Sequence, residues 1–462
     1  MKKLILSICL LFALSSMAQQ PIDRKKVVER NNPHVTTMDS LNSLSVGNGG
    51  FAMTVDGTGL QSFPKSYSLG VPLGTMSDWG WHSFANPENY QPEESWRYYD
   101  FGRGRKEPYA TQVKDNKRAK EAGDWYRVNP HRLHLGILGL SLGADPKQIK
   151  QIDQTLNMWE GMIKSSFIYK GKAYQVETTC DPVLDMIATH IQSKGTIAVD
   201  VRFAYPTGGH CDDACDWTKD KLHSTTLVAQ TSNSAVLKRI IDETVSFVIL
   251  RWQGAAKFKQ KGKNSYQLQA KSSDLKLTCE YAEQTSTANK TFAEVADAAK
   301  AYWMGYWKKG GMADFSNCKD PRAKEMERRV VLSQYLLAIQ DAGDTPPQET
   351  GLTYNSWFGK FHLEMTWWHL AHYGLWNKPE CMEKCFGWFL YAQKLARQIA
   401  KRQGFNGIRW MKMTDPSGIE APSNVGSYLI WQQPHFIYLA ELLYRAAKSS
   451  AEREELLKKY AG

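Results

Sequence analysis

The sequence predicts a multidomain α+β fold in which an N-terminal antiparallel β-sandwich precedes a purely helical portion. Two observations carry this. Between residues 40 and 290, runs such as GGFAMTVDG, TIAVDVRFAYP and SYQLQAKSSDLKLTCEYA alternate apolar with polar residues and stop at Gly, Pro, Asn or Asp. With no helical pattern between such runs, the strands must pair antiparallel in sheets packed face to face. After residue 290 the apolar spacing changes to that of an amphipathic helix, which marks the boundary between the two parts.

The elements follow in order. Residues 1–18, MKKLILSICLLFALSSMA, read as an export signal: Lys2 and Lys3 precede an apolar run from Leu4 to Leu14, and small residues follow. That run is shorter than the roughly 20 residues of a bilayer span, so a retained anchor is the lesser alternative. The mature chain is expected to begin near Gln19, in the periplasm or outside the cell. Residues 19–290 form the β-sandwich domain, with a hairpin in YKGKAYQVE turning at Lys170-Gly171-Lys172. Residues 87–130, charged and rich in Tyr, read as a long loop with a helical stretch over DNKRAKEAGDWYR. Residues 291–318 hold a linker helix that ends at Gly310-Gly311. The helical domain, 319–462, starts with Asp320 as N-cap, Pro321 at the first helical position and Gly343 as terminator. Further helices are expected at 361–376, 379–404, 427–449 and 450–460.

Apolar residues at 42% and charged residues at 23% are ordinary for a globular chain. Sixteen Trp and 21 Tyr are not, and they point either to thick cores or to platforms for flat ligands such as sugar rings. The net charge of +11 comes without the Lys/Arg runs of a nucleic-acid binder, so no nucleic-acid partner is expected. No transmembrane segment and no cofactor are expected, and the oligomeric state is left open. The loop HCDDACDW (210–217) lacks a second ligand pair at zinc spacing, and a polar loop, with or without a disulfide, is the better reading. His369-x-x-His372 lacks a third ligand, so no metal is expected.

Two segments concentrate chemistry. NSWFGKFHLEMTWWHLAHYGLWNK (355–378) holds Trp357, Lys360, His362, Glu364, Trp367 and Trp368. Read as a helix, it puts Glu364, Trp367 and Trp368 on one broad face and His362 with His369 on another. A carboxylate among such neighbours needs a partner, because burying it alone is costly. The second segment (404–445) carries Arg409, Trp410, Glu420, Gln432, Gln433 and His435 in a Gly/Pro/Ser-rich loop and the start of a helix. Indoles to stack on sugar rings, with fixed amides and carboxylates to read hydroxyls, make a saccharide pocket; an ordinary helix connection is the competing reading.

These residues carry a resemblance. LNSLSVGNGGFAMTVDG (41–57) resembles the β-sandwich signature of family 65 glycoside hydrolases and phosphorylases. GKFHLEMTWW stands where that family has a loop-helix of the type G-H-x-F-W-D-T-E, and GFNGIRWMKMTDPSGIEAP is similar to its pocket-loop segment. PLGTMSDWGWHSFANP (72–87) marks a divergent branch, a distant six-hairpin glycosidase relative. The resemblance implies a sandwich, a linker helix and an (α/α) six-hairpin toroid, here partial. Such a toroid takes about twelve helices and on the order of 300 residues, whereas the chain supplies only about 140 from Asp320 onward. It implies Glu364 as a substrate-binding or catalytic carboxylate, with Leu363 where the family has Trp, and Glu420 as a second candidate. The family's general acid lies downstream of the matched segments and has no counterpart here, so a truncated or inactive form is expected. The implied function is an exported glycoside hydrolase using an inverting acid/base mechanism on an oligosaccharide or polysaccharide. A non-catalytic glycan-binding protein and a polysaccharide lyase are the alternatives.

Overall fold

The computed structural model describes residues 21–461, so the expected export segment lies outside the described residues. The chain is mixed α and β, with several antiparallel sheets followed by helices. The largest sheet has nine strands, in spatial order His34–Val35, Ile149–Asn157, Met162–Tyr169, Lys172–Cys180, Met186–Ser193, Asp274–Ala282, Thr244–Gln253, Ser234–Ile241 and His223–Gln230. All of its neighbours pair antiparallel. The hairpin at 170 shows how sequence sets register. Tyr169 pairs with Lys172, and Lys170 (φ 48°) and Gly171 (φ 72°) both turn left-handed, as in a two-residue turn whose twist matches its strands.

A four-stranded sheet is ordered Ala256–Gly262, Ser265–Ala270, Ala198–Arg202, Ile137–Leu140. Alternation buries Leu138, Val199 and Leu268 from it in the same core as Val176, Ile187 and Leu275 of the large sheet. The helix Phe292–Lys308 begins with a capping box between Thr291 and Glu294 and lies against the large sheet. Its Trp307 indole donates to the Met158 carbonyl at 2.7 Å. Trp303 sits so close to Gly161 (φ 67°) that a Cβ there would lie 2.0 Å from the indole Cδ1.

Helices Ala323–Gln340, Thr366–Leu375, Pro379–Glu383, Phe386–Arg402, His435–Ala446 and Ser450–Tyr460 complete the chain. Four expectations need correction. The helix expected to open with Asp320 as N-cap and Pro321 as its first residue starts at Ala323, with Arg322 as its N-cap. The single helix expected over 379–404 is two, Pro379–Glu383 and Phe386–Arg402, separated at Lys384 and Cys385. The helix expected from 361 starts at Thr366, because Phe361–His362 is drawn into a ladder with Met413–Thr414. The helix expected from 427 starts at His435, behind Pro434 as its cap. The segment 87–130 is also more than a loop. It holds a hairpin, Trp96–Asp100 with Lys106–Ala110, and the helix Lys117–Val128. It lies on the helical part: Arg127 donates to the Pro422 carbonyl at 2.9 Å and Arg105 to that of Gln403 at 2.7 Å. Cys211, Cys215, Cys381 and Cys385 are free thiols, so loop 210–217 holds no disulfide. Among the described residues no helix is long and apolar enough to cross a membrane.

Candidate functional site

The short ladder builds the centre of the site. His362 faces Met413, and the Leu363 N–H donates to the Lys412 carbonyl at 2.8 Å. This register sets Lys412 beside Glu364, in the turn just before the Thr366 helix, with Nζ 2.9 Å from Oε1. Both side chains are largely buried, at 15% and 10% exposure. Burial pushes the Glu364 carboxyl up, but contacts with His362 and Lys412 outweigh it and hold the group below its ordinary range. Glu364 is therefore a carboxylate at neutral pH.

His362 is fully buried, with Nδ1 3.7 Å from Glu364 Oε1 and 3.3 Å from Glu349 Oε2. Neither contact closes into a hydrogen bond, and both ring nitrogens lack a partner among the described residues. Desolvation lowers the imidazole's pKa, which favours the neutral ring.

Trp357 forms the neighbouring wall. It and Phe358 lie consecutively at φ 50° and 63°, a left-handed pair costing about 1–3 kcal/mol per residue that only a fixed environment maintains. Loop 210–216 of the sheet region supplies that environment. The Phe358 N–H donates to the His210 carbonyl at 3.3 Å, and the Asn355 amide donates to Asp212 at 3.3 Å. The His210 ring packs edge-on to Trp357 at 4.1 Å between centres. Lys412 Nζ lies 4.5 Å and the Arg127 guanidinium 5.7 Å from the same indole. Trp357, Arg127 and Lys412 line a cavity of about 290 Å³.

The other expected residues fall elsewhere. Lys360 is buried and donates to the carbonyls of Asn129 (2.8 Å) and Tyr126 (3.2 Å), its pKa lowered to about 8 by burial. Arg409 donates to Ser427 O at 2.9 Å, and Gln432 and Gln433 both donate to Trp410 O at 2.9 and 2.6 Å. These three brace the backbone that presents Trp410, whose ring packs between Phe389 (5.2 Å) and Phe436 (6.5 Å). Glu420 is buried in an ion pair with Arg402, and burial raises its pKa. It borders a separate 260 Å³ cavity with Trp96. His435 Nδ1 meets the Leu363 carbonyl at 3.1 Å, while Trp367 packs on Tyr438. Trp368 is 48% exposed and stands 5.6 Å from Trp431, itself 53% exposed.

So the structure gathers Trp357, His362 and Glu364, and adds Lys412, Arg127, His210 and Glu349, which the sequence reading did not place in the site. The alternation in WMKMTD could have signalled a strand at Lys412; nothing local links Arg127 or His210 to residue 357.

No known family profile and no curated protein matches the chain. Among solved structures, it is similar to "Putative kojibiose phosphorylase from human microbiome", with TM-score 0.59 and 10% identity over 93% of this chain. The match spans 57% of that neighbour's length. Lower-scoring likenesses are to a bacterial glucoamylase complexed with acarbose (TM-score 0.38, 11% identity, 65% of this chain and 46% of that one) and the family GH92 α-mannosidase BT3965 from Bacteroides thetaiotaomicron (0.29, 10%, 71% and 48%). Over most of its length the chain shares the multidomain fold of the first of these neighbours.

Proposed function

We propose that the chain is a carbohydrate-active protein of the glycoside hydrolase type, with Glu364 as the carboxylate that grips the sugar ring. The observation that carries this reading is the Glu364–Lys412 pair beside Trp357: an ionised acceptor and a cation held at 2.9 Å next to an indole. Such a carboxylate accepts hydrogen bonds from ring hydroxyls, and the nearby ammonium keeps it ionised as the sugar displaces water. The fold supports the same reading, since the neighbour sharing it is described as a "Putative kojibiose phosphorylase". The finer proposal is a distant family 65 relative, exported, with a partial six-hairpin toroid; in the complete family's inverting mechanism an acid protonates the leaving oxygen while water attacks the sugar from the opposite face, and the matched segments here offer no counterpart of that acid. Turnover measured on a panel of aryl-glycosides and oligosaccharides tests this. Hydrolysis supports the enzyme, binding without turnover makes the chain a glycan-binding protein, and unsaturated products absorbing in the ultraviolet make it a lyase. If nothing on the panel binds, the proposal is wrong.

A further inference from the structure

The cavity beside Trp357 has a charge pattern that a neutral sugar does not explain. About 290 Å³ in volume, it is lined by Arg127, Lys412, Trp357, Gln112, Ser423 and Asn424 among others, with no Asp or Glu among the described residues of its wall. Lys412 is already shared with Glu364. Among the described residues Arg127 is not shared: it donates one N–H to the Pro422 carbonyl, and Asp124, on its own helix, is the acid whose charge reaches it. A half-buried guanidinium facing an acid-free hollow carries a desolvation cost that an anion would offset.

We infer that this cavity seats the carboxylate of a uronic-acid unit in the saccharide, held by Arg127 and Lys412. This rests on the saccharide reading above and names the substrate class for the same site. The size fits. A volume near the lower end of small-ligand sites suits one sugar unit, where a bare inorganic anion would leave most of it empty. Gln112, Ser423 and Asn424 supply polar groups for its hydroxyls. Burial lowers the pKa of Arg127, in keeping with a charge that lacks an internal partner. The chain's net charge of +11 would draw in an acidic glycan.

The test is calorimetric titration of the full chain with a glucuronate-containing oligosaccharide, its neutral counterpart of equal length, and inorganic phosphate. The same titrations are run on Arg127→Gln and Arg127→Lys, with melting temperatures confirming that both variants fold. The wild type should prefer the acidic glycan by about tenfold or more, the scale of one charge-assisted hydrogen bond. That ratio should collapse toward one in Arg127→Gln, recover in part in Arg127→Lys, and shrink with added salt. Equal affinity for the acidic and neutral glycans in the wild type overturns the inference and leaves the saccharide reading intact. So does a preference that survives Arg127→Gln. Tight phosphate binding without any acidic preference reassigns the cavity to phosphate and overturns the uronate. If neither glycan binds, the saccharide reading fails and this inference falls with it.

Discussion

Lys412→Met is the most informative perturbation of the centre. In the wild type, Nζ lies 2.9 Å from Glu364 Oε1, with both side chains mostly buried. At an effective dielectric constant of about 20, two unit charges at that distance attract by about 6 kcal/mol before desolvation is subtracted. Met matches the length of the lysine stem, so the main change is a carboxylate left without its cation. Removing one partner of a buried pair costs about 3–5 kcal/mol, and the residual exposure here puts the expected loss near the lower figure. The pH dependence supplies the sign. The pKa of Glu364 is held below its unfolded value, so its contribution is present above the ordinary carboxylate range and is lost as pH falls through the lowered folded value. Without Lys412, burial dominates and the pKa rises, so the deficit of Lys412→Met should shrink as the medium is acidified through the carboxylate range. Urea unfolding of the wild type, Lys412→Met, Glu364→Gln and the double variant gives the coupling directly. A single-variant loss under about 0.5 kcal/mol, or losses that simply add in the double variant, would show that the pair is an exposed contact of little worth.

Further predictions concern the same structure. Glu364→Gln keeps an acceptor for Lys412, so the melting temperature should move by only a few degrees while glycan binding disappears in calorimetry; unchanged affinity would remove Glu364 from the site. Gly161→Ala forces a methyl to 2.0 Å from Trp303 in a left-handed backbone and should cost about 1–3 kcal/mol or more in chemical unfolding; a neutral result would mean the helix lies off the sheet. Burial lowers His131 to about 3, and His134, His223, His369 and His372 to about 4. Their stability is present above the unfolded pKa near 6.5 and is lost as pH falls toward those values, while Asp78 (about 7), Asp56 and Asp185 (about 6) act oppositely. Burial also raises Asp213, Asp341 and Glu420 and lowers His82, His210, His362 and His435, so the lowered histidines still outnumber the raised carboxyls; the urea midpoint should drop between pH 6.5 and 4.5, and a flat profile would contradict these burials.

Much of the fold was legible because strands and helices announce their period locally. YKGKAYQVE predicted a hairpin turning at Lys170-Gly171-Lys172; the turn is Lys170-Gly171, with Lys172 already paired to Tyr169. The Thr291–Glu294 box opens the helix that follows residue 290. The centre of the site was harder to read because its geometry is made at long range. FHLEMTWWHL has helical spacing throughout, yet Phe361 and His362 leave the helix for hydrogen bonds to Met413 and Thr414, far along the chain. Local propensity is overridden there by tertiary pairing. The same ladder sets the partner of Glu364, so Lys412 could not be named from residues near 364. Arg409, Gln432 and Gln433 looked like sugar readers by type; their N–H groups donate to backbone carbonyls, while Arg409 Nε and Gln432 Oε1 have no partner among the described residues. Sequence shows which side chains could bind; only the fold shows which are already occupied.

Loop 210–216 rests its imidazole on the indole of residue 357 and takes an N–H from Phe358. The hollow beside that indole is thus walled from both sides of the chain's midpoint, with Arg127 from one and Lys412 from the other. Severing the polypeptide near residue 290 would leave Gln112 and Arg127 on one piece and the rest of that wall on the other, so the hollow would close again only when the pair had reassociated.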